Sequence, residues 1–276
     1  MQIPQHLNSP LMKKLLLVAA VMAAALSSGA VAQVPITNVT TNAFDFGANY
    51  GGGGAEPGWT NGANAGFGFG AWSISTSGGG SKGAFIGNPT AGGIGGMSTE
   101  SFGLFANGGD SPSITGSRSV SSALAVGQTF SFQWGLNFDS GAGGNKGFNF
   151  RAGTNQFINL NMGSSANVTL NGANVLTAYG TNSFYVGITR LDSSTYTVFS
   201  TSARNNASGG GFSTNISSAL AADNFQIYAS SLQSGDAAQP YFNNFSVTAV
   251  PEPSTYALLA LSGIAFGGYM IRRRRR

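Results

Sequence analysis

The 276-residue chain has no cysteine, and its single histidine, His6, stands close to the start. Without a thiol there is no disulfide framework, no thiol nucleophile and no cysteine zinc site. Residues 33–249 contain neither His nor Cys. That stretch therefore has no Ser-His-Asp triad and none of the usual nitrogen or sulfur metal ligands. Charge is scarce as well, at 8% of residues. The formal net charge of +4 is concentrated at the ends, in Lys13, Lys14 and Arg272 to Arg276. Between them, residues 33–249 hold six bases against eight acids, a net charge of −2, with no cluster of either sign. A nucleic-acid footprint needs a basic face, so nucleic acid is not an expected partner. No long stretch of helical period lies between the two ends.

What is abundant is Gly, Ser, Thr and Asn, together with 20 Phe, enough aromatic mass for a core. From Phe67 onward the pattern has period two. In Gln128 to Phe138, Phe130, Phe132, Trp134, Leu136 and Phe138 alternate with Ser131, Gln133, Gly135 and Asn137, the mark of a half-buried strand. Similar strands are predicted at 101–106, 146–151, 156–162, 167–170, 174–178, 183–191, 195–202, 224–229 and 241–248. Asn171-Gly172 is a hairpin signal. Residues 215–222 are predicted as one helical turn. Short strands with frequent turns indicate an all-β chain, an antiparallel β-sandwich. The order of its late strands, Ile188 to Asp192, Tyr196 to Val198, Phe225 to Tyr228 and Tyr241 to Val247, resembles the concanavalin A-like, lectin-like jelly roll. That resemblance spans roughly residues 65–248 and implies a closing strand that returns beside the first; an immunoglobulin-like sandwich is the second reading.

Candidate sites are few. Tyr50 and Trp59 lie in and beside the Gly/Pro-rich loop 50–58, and Trp72 stands in opposite phase to Phe67, Phe69 and Ala71. All three are candidate glycan contacts, because sugar C–H groups pack on π faces. The alternative for Trp59 is that it folds back over the core; Trp134, in register with four apolar residues, belongs to the core. The loop lacks the Gly-Lys-Ser/Thr of a phosphate cradle. Asp139 to Asn145 contains oxygen donors but too few acids for a calcium loop, so no metal and no cofactor is expected. Glycoside hydrolysis uses two carboxylates around one cleft, whereas the acids here are scattered, with Glu56 and Glu100 on separate segments. The body is therefore expected to be non-enzymatic, structural or glycan-binding. A polysaccharide hydrolase or lyase and a purely structural biofilm component are the alternatives.

The two ends read as targeting segments. Lys13-Lys14, the apolar stretch Leu15 to Leu26 and Ala30-Val31-Ala32 have the layout of a signal peptide over residues 1–32. Signal peptidase is expected to cut between Ala32 and Gln33, and Met12 opens a more typical signal than Met1. The exported domain then covers 33–249. The segment 250–276 carries Pro251, Glu252 and Pro253, a 16-residue apolar run from Tyr256 to Ile271, and the terminal arginines Arg272, Arg273, Arg274, Arg275 and Arg276. The run is slightly short of the roughly 17–25 residues of a transmembrane helix, and snorkelling arginines close the gap. No charge interrupts it, and the arginines hold that end on the cytoplasmic side.

This constellation resembles the PEP-CTERM sorting signal of Gram-negative bacteria. The resemblance implies a chain held for a time in the inner membrane with its body in the periplasm. An exosortase-type processing enzyme then cuts near Pro251-Glu252-Pro253, and the body reaches the outer surface or an exopolysaccharide matrix. Replacing Arg272 to Arg276 by neutral residues is expected to let the apolar run slip through the membrane and to abolish processing. Mass spectrometry of the mature ends checks this, and unchanged cleavage contradicts the topology.

Overall fold

The computed structural model describes residues 39–41, 59–64, 68–137, 144–163, 167–176, 182–201 and 211–249. The expected signal peptide 1–32, Tyr50, Glu56 and the segment 250–276 lie outside them. Among the described residues fifteen strands build two antiparallel sheets. The first sheet runs β13 (Ser213–Ser217), β12 (Thr195–Thr201), β11 (Phe184–Arg190), β6 (Gln128–Gly135), β15 (Tyr241–Ala249), β4 (Ser101–Asn107), β3 (Ser81–Gly87). The second runs β10 (Ala173–Leu176), β9 (Val168–Leu170), β8 (Asn155–Met162), β7 (Asn145–Ala152), β14 (Asn224–Ser230), β5 (Ser113–Ser119), β2 (Ser73–Ser77). β1 (Val39–Thr41), not expected from the sequence, pairs with β15, Val39 opposite Val247, while within 65–248 the closing strand lies between β6 and β4 rather than beside β2.

Alternation decides which side chains fill the space between the sheets. On β6, Phe130, Phe132 and Trp134 are fully buried, and β15 adds Phe242, Phe245 and Val247. From the second sheet come Phe148 and Phe150 of β7 and Phe225 and Ile227 of β14. Rings from the two sheets meet in stacks: Phe132 on Phe148 at 4.2 Å, and Phe245 on Phe225 at 4.7 Å between centroids. Burial of each ring is worth about 1.5–3 kcal/mol.

Two features depart from the sequence pattern. Residues 215–222 do not form a helical turn; Ser213–Ser217 is an edge strand on β12, with Tyr196 opposite Ile216. The Asn215 side-chain oxygen accepts from the Thr197 hydroxyl at 2.7 Å, which fixes that register. Strands β2, β3 and β5 were not evident from the pattern because β2 covers only Ile74 in part, β3 places Lys82 in phase with Ala84 and Ile86, and β5 puts Gly116 and Arg118 at buried positions. Arg118 is 1% exposed; its Nε donates to the Gly70 carbonyl at 2.6 Å and a terminal nitrogen to Asn64 Oδ1 at 2.9 Å.

The outer face of the second sheet carries an amide ladder. Asn159 donates to Asn149 at 2.7 Å, and Asn149 to Gln226 at 3.0 Å. Asn159 also donates to the Tyr228 hydroxyl at 2.9 Å, which itself donates to Asn161 Oδ1 at 2.9 Å. The Tyr228 ring crosses Gly147, where a Cβ would overlap both the ring hydroxyl and the Leu160 carbonyl oxygen. On the other sheet the Phe199 ring covers Gly187 in the same manner.

Gly147→Ala is expected to cost about 1–3 kcal/mol, since a backbone oxygen cannot move aside. Gly187→Ala should cost less, because the half-buried Phe199 ring can swing outward. Urea unfolding of both variants checks this, and equal losses contradict it. Burial pushes the Tyr228 phenol from its ordinary 10 up to about 12, with the Asn159 bond opposing. Between those values the folded chain keeps a proton that the unfolded chain has lost. Stability is thus expected to hold below pH 10 and to fall as pH rises toward 12. Tyr228→Phe should flatten that decline in the urea midpoint.

Candidate functional site

A recess of about 420 Å³ opens on the outer face of the first sheet, at β3, β4 and the start of β15. Its floor is aromatic and comes from side chains that point away from the core. Phe85 lies opposite Gly103, and Phe105 opposite Gly83. The bare glycine backbones let both rings rest on the sheet: a Cβ at 103 would overlap the Phe85 ring, and one at 83 would lie 2.7 Å from Phe105. Tyr241 meets Phe85 edge-on, with centroids 5.7 Å apart at 86°, and Phe105 lies 6.1 Å from Phe85.

Two short 3₁₀ turns, Pro89–Gly92 and Asp236–Ala238, supply the walls. Asn88 caps the first, its Oδ1 accepting from the Thr90 N–H at 3.0 Å. Gly92 packs so closely on the second turn that a Cβ there would be 2.5 Å from the Asp236 carbonyl oxygen. Both turns are tied to the sandwich by side chains from the β6–β7 region. Lys146, completely buried, donates from Nζ to the Ala238 carbonyl at 2.7 Å and to that of Asn137 at 3.2 Å. Asn137 Nδ2 donates to the Gly92 carbonyl at 2.6 Å. A buried ammonium is costly unless such acceptors satisfy it, so this pair fixes the rim.

The polar groups of the recess are Asn88, Asp236 and Gln239. The Tyr241 hydroxyl donates to Gln239 Oε1 at 3.1 Å. Burial first, and the Asp236 carboxylate second, push this phenol up to about 12, which keeps it protonated at neutral pH. An aromatic floor rimmed by a carboxylate and two amides can pack against C–H faces and hydrogen-bond hydroxyl groups. Asp236 is, among the described residues, the one carboxylate lining the recess. Among the described residues no group of three acids or histidines is placed to hold a metal.

Of the sequence candidates, Trp59 and Trp72 are corrected by the structure. Each is 1% exposed, and their rings meet edge-to-face at 4.6 Å inside the core. Trp59 occupies the space over Gly116, where a Cβ would come within 2.9 Å of its ring, and the Arg118 guanidinium lies 5.2 Å from the Trp72 ring. Neither ring face is offered to a ligand. Tyr50, the expected cleavage residues Ala30, Ala32 and Gln33, the triplet Pro251-Glu252-Pro253 and Arg272 to Arg276 lie outside the described residues. Among those described, no helix is long and apolar enough to cross a membrane.

Phe85, Phe105, Tyr241, Asp236 and Gln239 were not among the sequence candidates. The available signal was Phe105 in β4, an aromatic out of phase with Phe102, Leu104 and Ala106.

The PEP-CTERM protein-sorting motif matches residues 249–276. It implies export, membrane-anchored sorting in Gram-negative bacteria and processing by an exosortase-type enzyme. No curated protein matches the chain. Similar solved structures include a botulinum neurotoxin serotype D binding domain, 11% identical with a TM-score of 0.37, covering 64% of this chain and 44% of that one. A sialidase is 12% identical with a TM-score of 0.39, covering 63% and 18%. An alginate lyase from Corynebacterium sp. is 10% identical with a TM-score of 0.33, covering 49% and 68%. The chain thus spans less than half the length of the neurotoxin structure and a smaller part of the sialidase, and these likenesses carry no argument about activity. The protein is an antiparallel β-sandwich whose chain ends in a PEP-CTERM sorting motif.

Proposed function

We propose that this is an exported cell-surface or extracellular-matrix protein whose sandwich is a non-enzymatic, glycan-binding or structural domain. The signal peptide directs export, and the run 256–271 holds the chain in the inner membrane with Arg272 to Arg276 inside. Cleavage near Pro251-Glu252-Pro253 then releases the body toward the outer surface or an exopolysaccharide matrix. The observation that supports glycan binding is the recess with its half-buried Phe85 and Phe105 rings, backed by the buried Tyr241, and its Asp236, Gln239 and Asn88 rim. Among the described residues Asp236 is the one carboxylate that lines the recess, and the two-carboxylate mechanism of glycoside hydrolysis needs a pair.

Glycan-array screening of the processed protein tests this. Binding should weaken about tenfold in Phe85→Ala, by loss of a stacking surface, and clearly in Asp236→Asn, with urea midpoints checked in parallel. Absence of binding to any glycan leaves the structural role alone.

A further inference from the structure

Among the described residues the large hydrophobic side chains left exposed are Val126, Leu191 and Leu220, at 45%, 47% and 37%. They come from three separate connections, yet they gather at one end of the first sheet. The Gly127 N–H, next to Val126, donates to the Arg190 carbonyl, next to Leu191, at 2.8 Å. Leu191 N–H donates to the Thr195 carbonyl at 2.9 Å and closes the β11–β12 turn. The Leu220 carbonyl accepts from the Tyr196 hydroxyl at 2.6 Å, and Tyr196 lies opposite Arg190 in the sheet. β15 finishes at this same end: Ala249 pairs with Gln128, two positions from Val126. One residue, Val250, then separates Ala249 from Pro251.

Resting on the membrane-anchored reading of the tail, we infer that Val126, Leu191 and Leu220 seat this end of the sandwich in the headgroup region of the bilayer before processing. Singly exposed apolar residues are ordinary; here they are confined to the end from which the chain leaves for the membrane. Residues 250–255, even fully extended, span at most about 22 Å, so the tips stay within reach of the surface. The tether makes the contact intramolecular, so a weak apolar contact is enough. Charge adds little. Arg190 lies over the Tyr196 ring and donates to the Leu124 carbonyl, and Arg151 donates to that of Thr154. Against these two bases stand Asp192, bonded by Ser194, and Asp223, bonded by Gly153. The contact is therefore apolar and insensitive to anionic lipid.

The absence of cysteine permits single labels in the full chain. Val126→Cys, Leu191→Cys, Leu220→Cys and, at the opposite end in the β4–β5 turn, Gly109→Cys each receive an environment-sensitive fluorophore. The chains are reconstituted into phosphatidylcholine vesicles containing brominated lipid. Quenching at the three tips is expected to exceed that at Gly109→Cys by about twofold or more, as for side chains held at the interface. Equal quenching at all four positions overturns the inference while leaving the anchored tail intact, provided that the chain floats with the vesicles. A chain that does not float overturns both. Tips shielded from aqueous iodide without lipid quenching identify a second copy, or the chain's own tail, as the occupant, and that result also overturns it.

Discussion

Rings from two sheets stacked face on face hold this molecule together. Phe132 on Phe148 and Phe245 on Phe225 join the central strands of one sheet to those of the other, and Phe130 bridges to Phe150 at 4.9 Å. With no cysteine to staple the body and few charges to pair, this aromatic layer carries most of the cohesion between β6 and β15 on one side and β7 and β14 on the other. Stacked and tilted pairs add about 0.5–1.5 kcal/mol each beyond their buried area. The flanking strands hydrogen-bond outward from these four and add buried side chains of their own, among them Val186, Leu104, Ile114 and Leu160.

Glycine is the complement of that aromatic content. Phe85 over Gly103, Phe105 against Gly83, Phe199 over Gly187 and Tyr228 over Gly147 are the same contact repeated: a ring lying across a neighbouring strand at a place without a side chain. In the core the pairing recurs as Trp59 over Gly116. One residue pattern thus covers the outer sheet faces with rings and, at β3 and β4, leaves a recess between them.

How much of this was legible in the chain depends on what stands at the inward positions. β6, β7, β8, β11, β14 and β15 put Phe, Leu, Ile or Val at most inward sites, and their period is plain. β5 puts Gly116 and Arg118 there and β2 covers only Ile74 in part, so the period disappears although both strands are real. The tryptophans were ambiguous for a related reason. A loop aromatic such as Trp59 is drawn inward by a glycine 57 positions away, a contact that no local pattern carries. The recess was hidden likewise: Tyr241 sits in a strand whose other residues read as core, Phe85 in one the pattern did not show, and Asp236 and Gln239 are brought beside them by a turn that the buried Lys146 holds through Ala238. The sorting motif was legible because its parts are contiguous and act by hydrophobicity and charge, without help from the fold.

β15 is the last strand to be made, yet it lies between β6 and β4 in the middle of its sheet and also pairs with β1, near the other end of the body. The order of synthesis and the order of assembly are therefore at odds. Until Tyr241 to Ala249 has emerged, the first sheet is two separate pieces with open edges, and the sandwich cannot be completed. A chain built this way stays an unfinished polymer through most of its synthesis and becomes a solid body only in its final moments.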